Sequence, residues 1–263
     1  MSKTEENPRY EVANGEATSR TLLVCDHASS HVPPELDNLG LDESLLRRHI
    51  AYDIGAADIT RRLAVLLDCP AVLCGTSRLV VDCNRPHDDP TSMPPVSDGV
   101  RIPGNAAISA SERQRRIDAY FWPYHHVIEG RLKAMLDAGT VPALVSIHSF
   151  TPVFDGFERP WHVAMLSNRD RRLTEPLLVE LARDPAIVVG DNEPYSGWDP
   201  SAYALREYGV GMGIPHAVFE IRQDLIDTHH GAEAWAYRLA AALRPVLQDA
   251  SHYHVLRSTD GDF

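Results

Sequence analysis

The chain has 263 residues, 44% of them hydrophobic and 24% charged, values that exclude a disordered chain, a collagen and a coiled coil. Asp and Glu number 37 against 25 Lys and Arg, giving a formal charge of −12. That excess argues against nucleic acid or an anionic membrane surface as the main partner, but not against a small anionic substrate in a basic pocket. No apolar run approaches the ~20 residues of a membrane span. The polar start MSKTEENPRYEV lacks the apolar centre of a signal peptide. Cys25, Cys69, Cys74 and Cys83 form no CxxC pair, so buried free thiols and a cytoplasmic setting are expected.

Residues 1–19 read as a polar lead-in or an edge element. Thr21–Cys25 is a short apolar run followed by a polar turn, a buried strand. Residues 44–67 read as helical with a break near Gly55. Ala71–Cys74 and Leu79–Asp82 read as strands, and Pro86–Gly104, rich in Pro, Asp and Gly, as a long loop. Ser109 opens a helix running to about Ala138. Strands are then expected at 143–147, 161–166, 187–189 and 217–221, a helix at 174–183, a polar loop at 190–197 and a closing helix at 231–248. Strands alternating with helices predict an α/β fold: a three-layer αβα sandwich with a mostly parallel mixed sheet. No linker separates two cores, so 20–263 reads as a single domain.

In open α/β sheets, ligands gather at the carboxyl ends of the strands. The polar residues at those ends are Asp26-His27, Asp82 to Arg85, His148-Ser149, and Glu220 with Arg222. Either histidine alone reads as a hydrogen-bonded structural residue. Two at equivalent strand ends, with carboxylates nearby, point to a shared metal. A catalytic zinc takes three protein ligands from His and carboxylate and leaves a position for water. For the third ligand Asp53 competes with Glu35, His31 and Asp26, and Asp53 also reads as a helix cap. His27-Ala-Ser-Ser-His31 lacks the glutamate of HExxH, and Pro33-Pro34 denies it a helix. Glu220, inside the apolar AVFEIR, reads either as an ion pair with Arg222 on the same strand face or as a general base. Arg85 offers a fork suited to a carboxylate or to a structural salt bridge.

LLVCDHASSHVPPEL, AYDIGAADITRRLA, SRLVVDCNRP, VSIHSFTPVF, DNEPYSG and HAVFEIRQDLI, in that order, resemble the N-formylglutamate amidohydrolase family from about Leu22 to Ile226. The resemblance implies a zinc-exopeptidase-like fold, one Zn²⁺ or other divalent ion per chain, and hydrolysis of a small anionic N-acyl amino acid. N-formylglutamate, an intermediate of histidine degradation, would yield formate and glutamate. Asp82-Cys83-Asn84-Arg85 is similar to the DxNR element of zinc carboxypeptidases, and Phe219-Glu220-Ile221-Arg222 to their FELR strand, whose Glu is the general base. His27 and His148 match their histidine ligands, but Ser30 stands where HxxE has its Glu. Asp53 lies where cell-wall amidases draw a carboxylate ligand, which makes it the implied third ligand. Arg78, Asn84, Arg85 and Arg222 are the implied substrate contacts, with Asn192 and Tyr195 in the DNEPY loop as either contacts or a plain turn. Rival readings are a metallo-amidohydrolase or carboxypeptidase-like enzyme on another N-acyl amino acid or small peptide, and a non-catalytic ligand-binding relative. A serine hydrolase is disfavoured, because no GxSxG occurs.

Overall fold

Thr21–Cys25 is buried along its whole length, and its alternate side chains serve two different cores. Leu23 and Cys25 join one apolar cluster, Leu22 and Val24 the other, as a strand covered on both faces requires. The structure, a computed structural model, describes residues 5–7, 9–199 and 202–256. Its strands are β1 (Glu5–Asn7), β2 (Tyr10–Ala13), β3 (Thr21–Cys25), β4 (Ala71–Cys74), β5 (Val96–Ser97), β6 (Val100–Arg101), β7 (Ala143–Phe150), β8 (Val153–Phe154), β9 (Phe157–Glu158), β10 (Val163–Leu166), β11 (Val189–Asp191) and β12 (His216–Arg222). Eight of them form one sheet in the order β1-β2-β4-β3-β7-β12-β10-β11, while β5–β6 and β8–β9 are small hairpins. The central strands β4, β3, β7 and β12 run parallel. Strands β2 and β10 flank them antiparallel. The sheet is therefore mixed and mostly parallel, as the strand–helix alternation predicts.

The helices are α1 (Glu43–Leu46), α2 (Ala56–Leu66), α3 (Ala110–Arg116), α4 (Trp122–Asp137), α5 (Thr174–Leu181) and α6 (His229–Gln248). Ile59 and Leu63 of α2, Leu177 of α5, and Leu239 and Leu243 of α6 pack in the cluster on one face. Tyr124, Ile128 and Leu132 of α4 pack in the cluster on the other. Ser109 caps α3 by accepting from the Glu112 amide. A π-turn at Ile117–Phe121 joins α3 to α4 and sets Phe121 into the core. All four cysteines are free and buried. No helix of the described residues is long and apolar enough to cross a membrane.

The sequence reading departs from the structure in two places that matter to the site. Leu79–Asp82 is not a strand. Ser77 Oγ accepts from the Leu79 amide and donates to Ala51 O, and Val80 N donates to Ser77 O, which folds the segment into a turn. The apolar run is explained by burial in the α4-side core rather than by sheet pairing. The expected helix over 44–67 is interrupted for longer than a kink. Only α1 and α2 are helical, and residues 47–55 form turns tied to the chain just after β3 by the Asp53 amide donating to His27 O. Gly55 ends that detour in a left-handed conformation, φ 81°, which glycine adopts without steric cost. Residues 5–7 and 10–13 of the expected lead-in form the sheet's outer strands.

Candidate metal centre and active site

Three strand ends and one turn converge on a single point. Asp26 and His27 follow β3 directly. His148 lies within β7 and Glu220 within β12, and the two are direct partners across the parallel pair. Side-chain alternation puts His148 on the same face as Leu144 and Ser146, toward α4. Asp53 arrives from the interrupted helix, anchored by its own amide donating to His27 O at 2.9 Å.

His148 Nδ1 is 2.9 Å and His27 Nδ1 3.4 Å from the same Asp53 Oδ2. The second contact lacks hydrogen-bond alignment, so His27 Nδ1 is left buried without a hydrogen-bond partner. One donor atom from each of His27, Asp53 and His148 falls within 4.8 Å of the others. The opposite nitrogens are held by two further carboxylates. His27 Nε2 meets Asp82 Oδ1 at 2.7 Å. His148 Nε2 meets Asp26 Oδ2 at 3.2 Å and Ser146 Oγ at 3.0 Å. Tyr124 Oη donates to Asp26 Oδ1 and fixes that carboxylate in turn. Carboxylates behind histidines are the usual way to orient metal-binding imidazoles. Two imidazoles and a carboxylate, with one aimed nitrogen unpartnered, fit a divalent ion that keeps an open position.

The charges reinforce one another. Burial alone would raise the Asp53 carboxyl, but His27, His148 and Arg78 hold it well below its ordinary value. The same contest at Asp82, won by His27, Arg78 and Arg85, lowers that carboxyl too. Burial disfavours charge on His148, yet Asp26 and Asp53 raise its pKa well above the usual histidine value. His27 is raised as well: Asp82 and Asp53 outweigh burial and Arg78. Unlike the Asp53 and Asp82 carboxyls, that of Glu220 is raised. Burial, with Asp53 adding to it, pushes its carboxyl up to about 7 against the pull of His148, His27 and Arg78. Its Oε2 is buried with no hydrogen-bond partner.

These groups floor a cavity of about 210 Å³ whose walls include Arg78, Asn84, Arg85, Leu166, Tyr195 and Ala202. Arg78 donates to Asp53 at 3.1 Å and approaches Asp82 at 3.5 Å. Arg85 donates to Asp82 Oδ2 and Thr91. Asn84 takes its amide to Asp82 Oδ1 and accepts from the Ala204 amide. Arg222 is not brought into the cavity. Its guanidinium is engaged by Asp224 at 2.8 Å and by Arg159 O, so the pairing with Glu220 considered from the sequence does not form. Asn192 is a turn residue, its Oδ1 accepting from the Ser167 and Gly197 amides. Glu35 accepts from Tyr120 Oη, and exposed His31 offers its carbonyl to the Ser77 amide. Neither belongs to the histidine–aspartate group. Sequence reasoning weighs Asp26 only as a ligand and assigns Asp82 no partner. The signal for Asp26 is that it continues the alternation of Leu22 and Val24, on the same sheet face as Leu144, Ser146 and His148.

The family model for N-formylglutamate amidohydrolase matches residues 19–227. The crystal structure of gene product Atu2144 from Agrobacterium tumefaciens is similar over 91% of this chain and 94% of its own, with TM-score 0.87 and 34% identity. That of N-formylglutamate amidohydrolase from Ralstonia eutropha JMP134 is similar over 91% of this chain and 97% of its own, with TM-score 0.60 and 18% identity, a likeness of fold. No curated protein matches this chain.

Proposed function

The chain belongs to the N-formylglutamate amidohydrolase family, and from that premise we propose that it is a divalent-metal-dependent hydrolase of N-formylglutamate or a closely related acidic N-acyl amino acid. The observation that carries the reading is the buried group His27, Asp53 and His148 beside a carboxylate, Glu220, whose Oε2 has no partner. His27, Asp53 and His148 would hold zinc, which supplies Lewis acidity for water and for the amide carbonyl. Glu220 takes a proton from the attacking water and returns it to the leaving amine. A carboxyl raised toward neutrality by burial suits both transfers. Asp82 and Asp26 hold the two imidazoles in register throughout. Asn84, Arg85, Arg78 and Tyr195 line the walls that orient the substrate, and the Arg85 side chain is partly exposed there. We take the single α/β domain to work in the cytoplasm, in keeping with four free thiols.

The test is an amide-hydrolysis screen of formyl, acetyl and peptidyl amino acids, run with and without chelator, alongside metal analysis. Release of formate from N-formylglutamate that stops on chelation and returns with zinc supports the reading. Preference for another acyl group would move the substrate and keep the chemistry. Full activity in metal-free protein would remove the metal, and no turnover with metal bound would leave a binding relative.

A further inference from the structure

An acidic N-acyl amino acid carries two carboxylates, and the cations expected from the sequence to receive them are already engaged. Arg78 pairs with Asp53 and Asp82, Arg85 with Asp82, and Arg222 with Asp224. Arg159 differs from all three. It is only 6% exposed, rare for an arginine without a counter-ion. Its Nη1 donates to Thr151 O, Thr151 Oγ1 and Tyr195 Oη. Its guanidinium lies 4.9 Å from the ring centroid of Phe154, 5.2 Å from that of Tyr195 and 5.7 Å from that of Phe150. Among the described residues no carboxylate pairs with it. A cation withdrawn from water in this way is costly to maintain unless something supplies the opposite charge.

Its position says what could. Phe150 is two residues beyond His148 on β7, and its register partner Arg222 is two beyond Glu220 on β12. Two strand residues span about 6.6 Å on one face. Arg159 lies against the Phe150 ring, and its carbonyl accepts from Arg222 Nη1, so it neighbours the side-chain layer next to the His148–Glu220 pair. It bonds to Tyr195, which lines the same cavity as Glu220.

We propose that Arg159, with the Tyr195 hydroxyl beside it, binds the distal carboxylate of the substrate and so selects acidic N-acyl amino acids. The inference rests on the substrate class proposed above. The ligand's carboxylate supplies the counter-ion that the fold withholds. The guanidinium fork recognises it through charge-assisted hydrogen bonds, while the aromatic rings keep the fork fixed.

The experiment is calorimetric titration of the zinc-loaded full-length chain with glutarate and with its monoamide, glutaramate, for wild type, Arg159→Gln and Arg159→Lys. Wild type is expected to favour glutarate by about tenfold or more, the scale of one charge-assisted hydrogen bond. Arg159→Gln should bring that ratio close to one with zinc content unchanged. Arg159→Lys, which keeps the charge and is the variant to rely on if the first does not fold, should cut the ratio several-fold for want of the fork. A ratio unchanged in either folded variant, or a wild type indifferent to the second carboxylate, overturns the proposal. If Arg159 only braces the β8–β9 hairpin, both ligands weaken together and the ratio stays, which also overturns it. A protein that discriminates through Arg159 but does not hydrolyse N-formylglutamate would refute the proposed reaction and leave this inference standing.

Discussion

Glu220 and His148 are direct partners across the parallel strands β12 and β7. Their separation is thus set by sheet hydrogen bonding rather than by loops, the most rigid way this fold can hold a carboxylate beside an imidazole. Both are buried; burial raises the Glu220 carboxyl to about 7, while Asp26 and Asp53 hold the His148 imidazole well above its ordinary value.

The first expectation concerns Glu220→Gln, which keeps shape and removes proton acceptance. Zinc content and substrate affinity should be near wild type, while kcat falls by ~10²–10⁴. Burial raises the Glu220 carboxyl to about 7, so the basic form gains population as pH rises through that value. In wild type kcat/KM should therefore climb with pH and level off. A bound cation favours the carboxylate and would draw the midpoint lower. Activity-against-pH curves for the two proteins at saturating zinc test this: the acid limb due to Glu220 must be missing from the residual activity of the variant. Near-normal kcat with metal bound would return Glu220 to a structural role.

A second expectation is that zinc affinity falls as pH falls, starting above the ordinary histidine range. Both His27 and His148 have raised pKa values in the metal-free site, against the opposing effect of burial. Ligation needs neutral imidazoles, so protons compete for both rings. The sign for metal-free stability is opposite. Each raised histidine stabilises the fold fully below the unfolded-state pKa, and that contribution is lost as pH rises through the folded value. Chelator competition and thermal melting across the same pH series should slope in opposite senses. Parallel slopes would mean that the histidines are not the shared ligands.

The third expectation is for Asp82→Asn and Asp26→Asn, which leave all three ligands in place. Asp82 orients His27 through Nε2 and Asp26 orients His148 through Nε2. Each variant should weaken zinc binding by about 10–100-fold, read by competition with a chelating dye. Asp82 also receives Arg78 and Arg85, so its loss should disturb substrate binding as well, whereas loss of Asp26 should not. Equal effects of the two variants on KM would show that the arginines keep their positions without Asp82.

Much of this arrangement is legible in the sequence, and the limits have physical causes. His27, His148 and Glu220 announce themselves as polar residues at the ends of short apolar runs, and local periodicity is enough to find such ends. Asp53 is harder, because it is delivered by a helix interruption whose length is set by a tertiary bond from its amide to His27 O. Leu79–Asp82 misleads because buried turns and buried strands have the same apolar composition, and only long-range partners separate them. Arg159 gives no local signal. Its neighbour Tyr195 is 36 residues away, and an arginine near a hairpin reads as an exposed charge. Arg222 errs the other way: strand alternation sets it on the face of Glu220, but Asp224 two residues on captures it.

The last expectation separates backbone strain from site assembly at Gly55. This residue has φ 81° and begins α2 two residues after Asp53. A Cβ there would lie 2.2 Å from Ile226 O and 2.7 Å from Ile226 Cγ1, backbone and side chain of the segment after β12. Gly139 provides the control, since it has φ 78° and a Cβ added to it would meet nothing within 4 Å. Gly139→Ala should cost only the left-handed penalty, about 1–2 kcal/mol. Gly55→Ala should cost distinctly more, because the Ile226 carbonyl must move or the turn must open. Opening the turn shifts Asp53, so zinc affinity should fall in Gly55→Ala and stay at the wild-type level in Gly139→Ala. Denaturant melts give the first comparison and chelator competition the second. If Gly55→Ala lost stability while zinc affinity held, Asp53 would be positioned by its bond to His27 O alone, and the glycine would serve only the packing of α2 against the Ile226 segment.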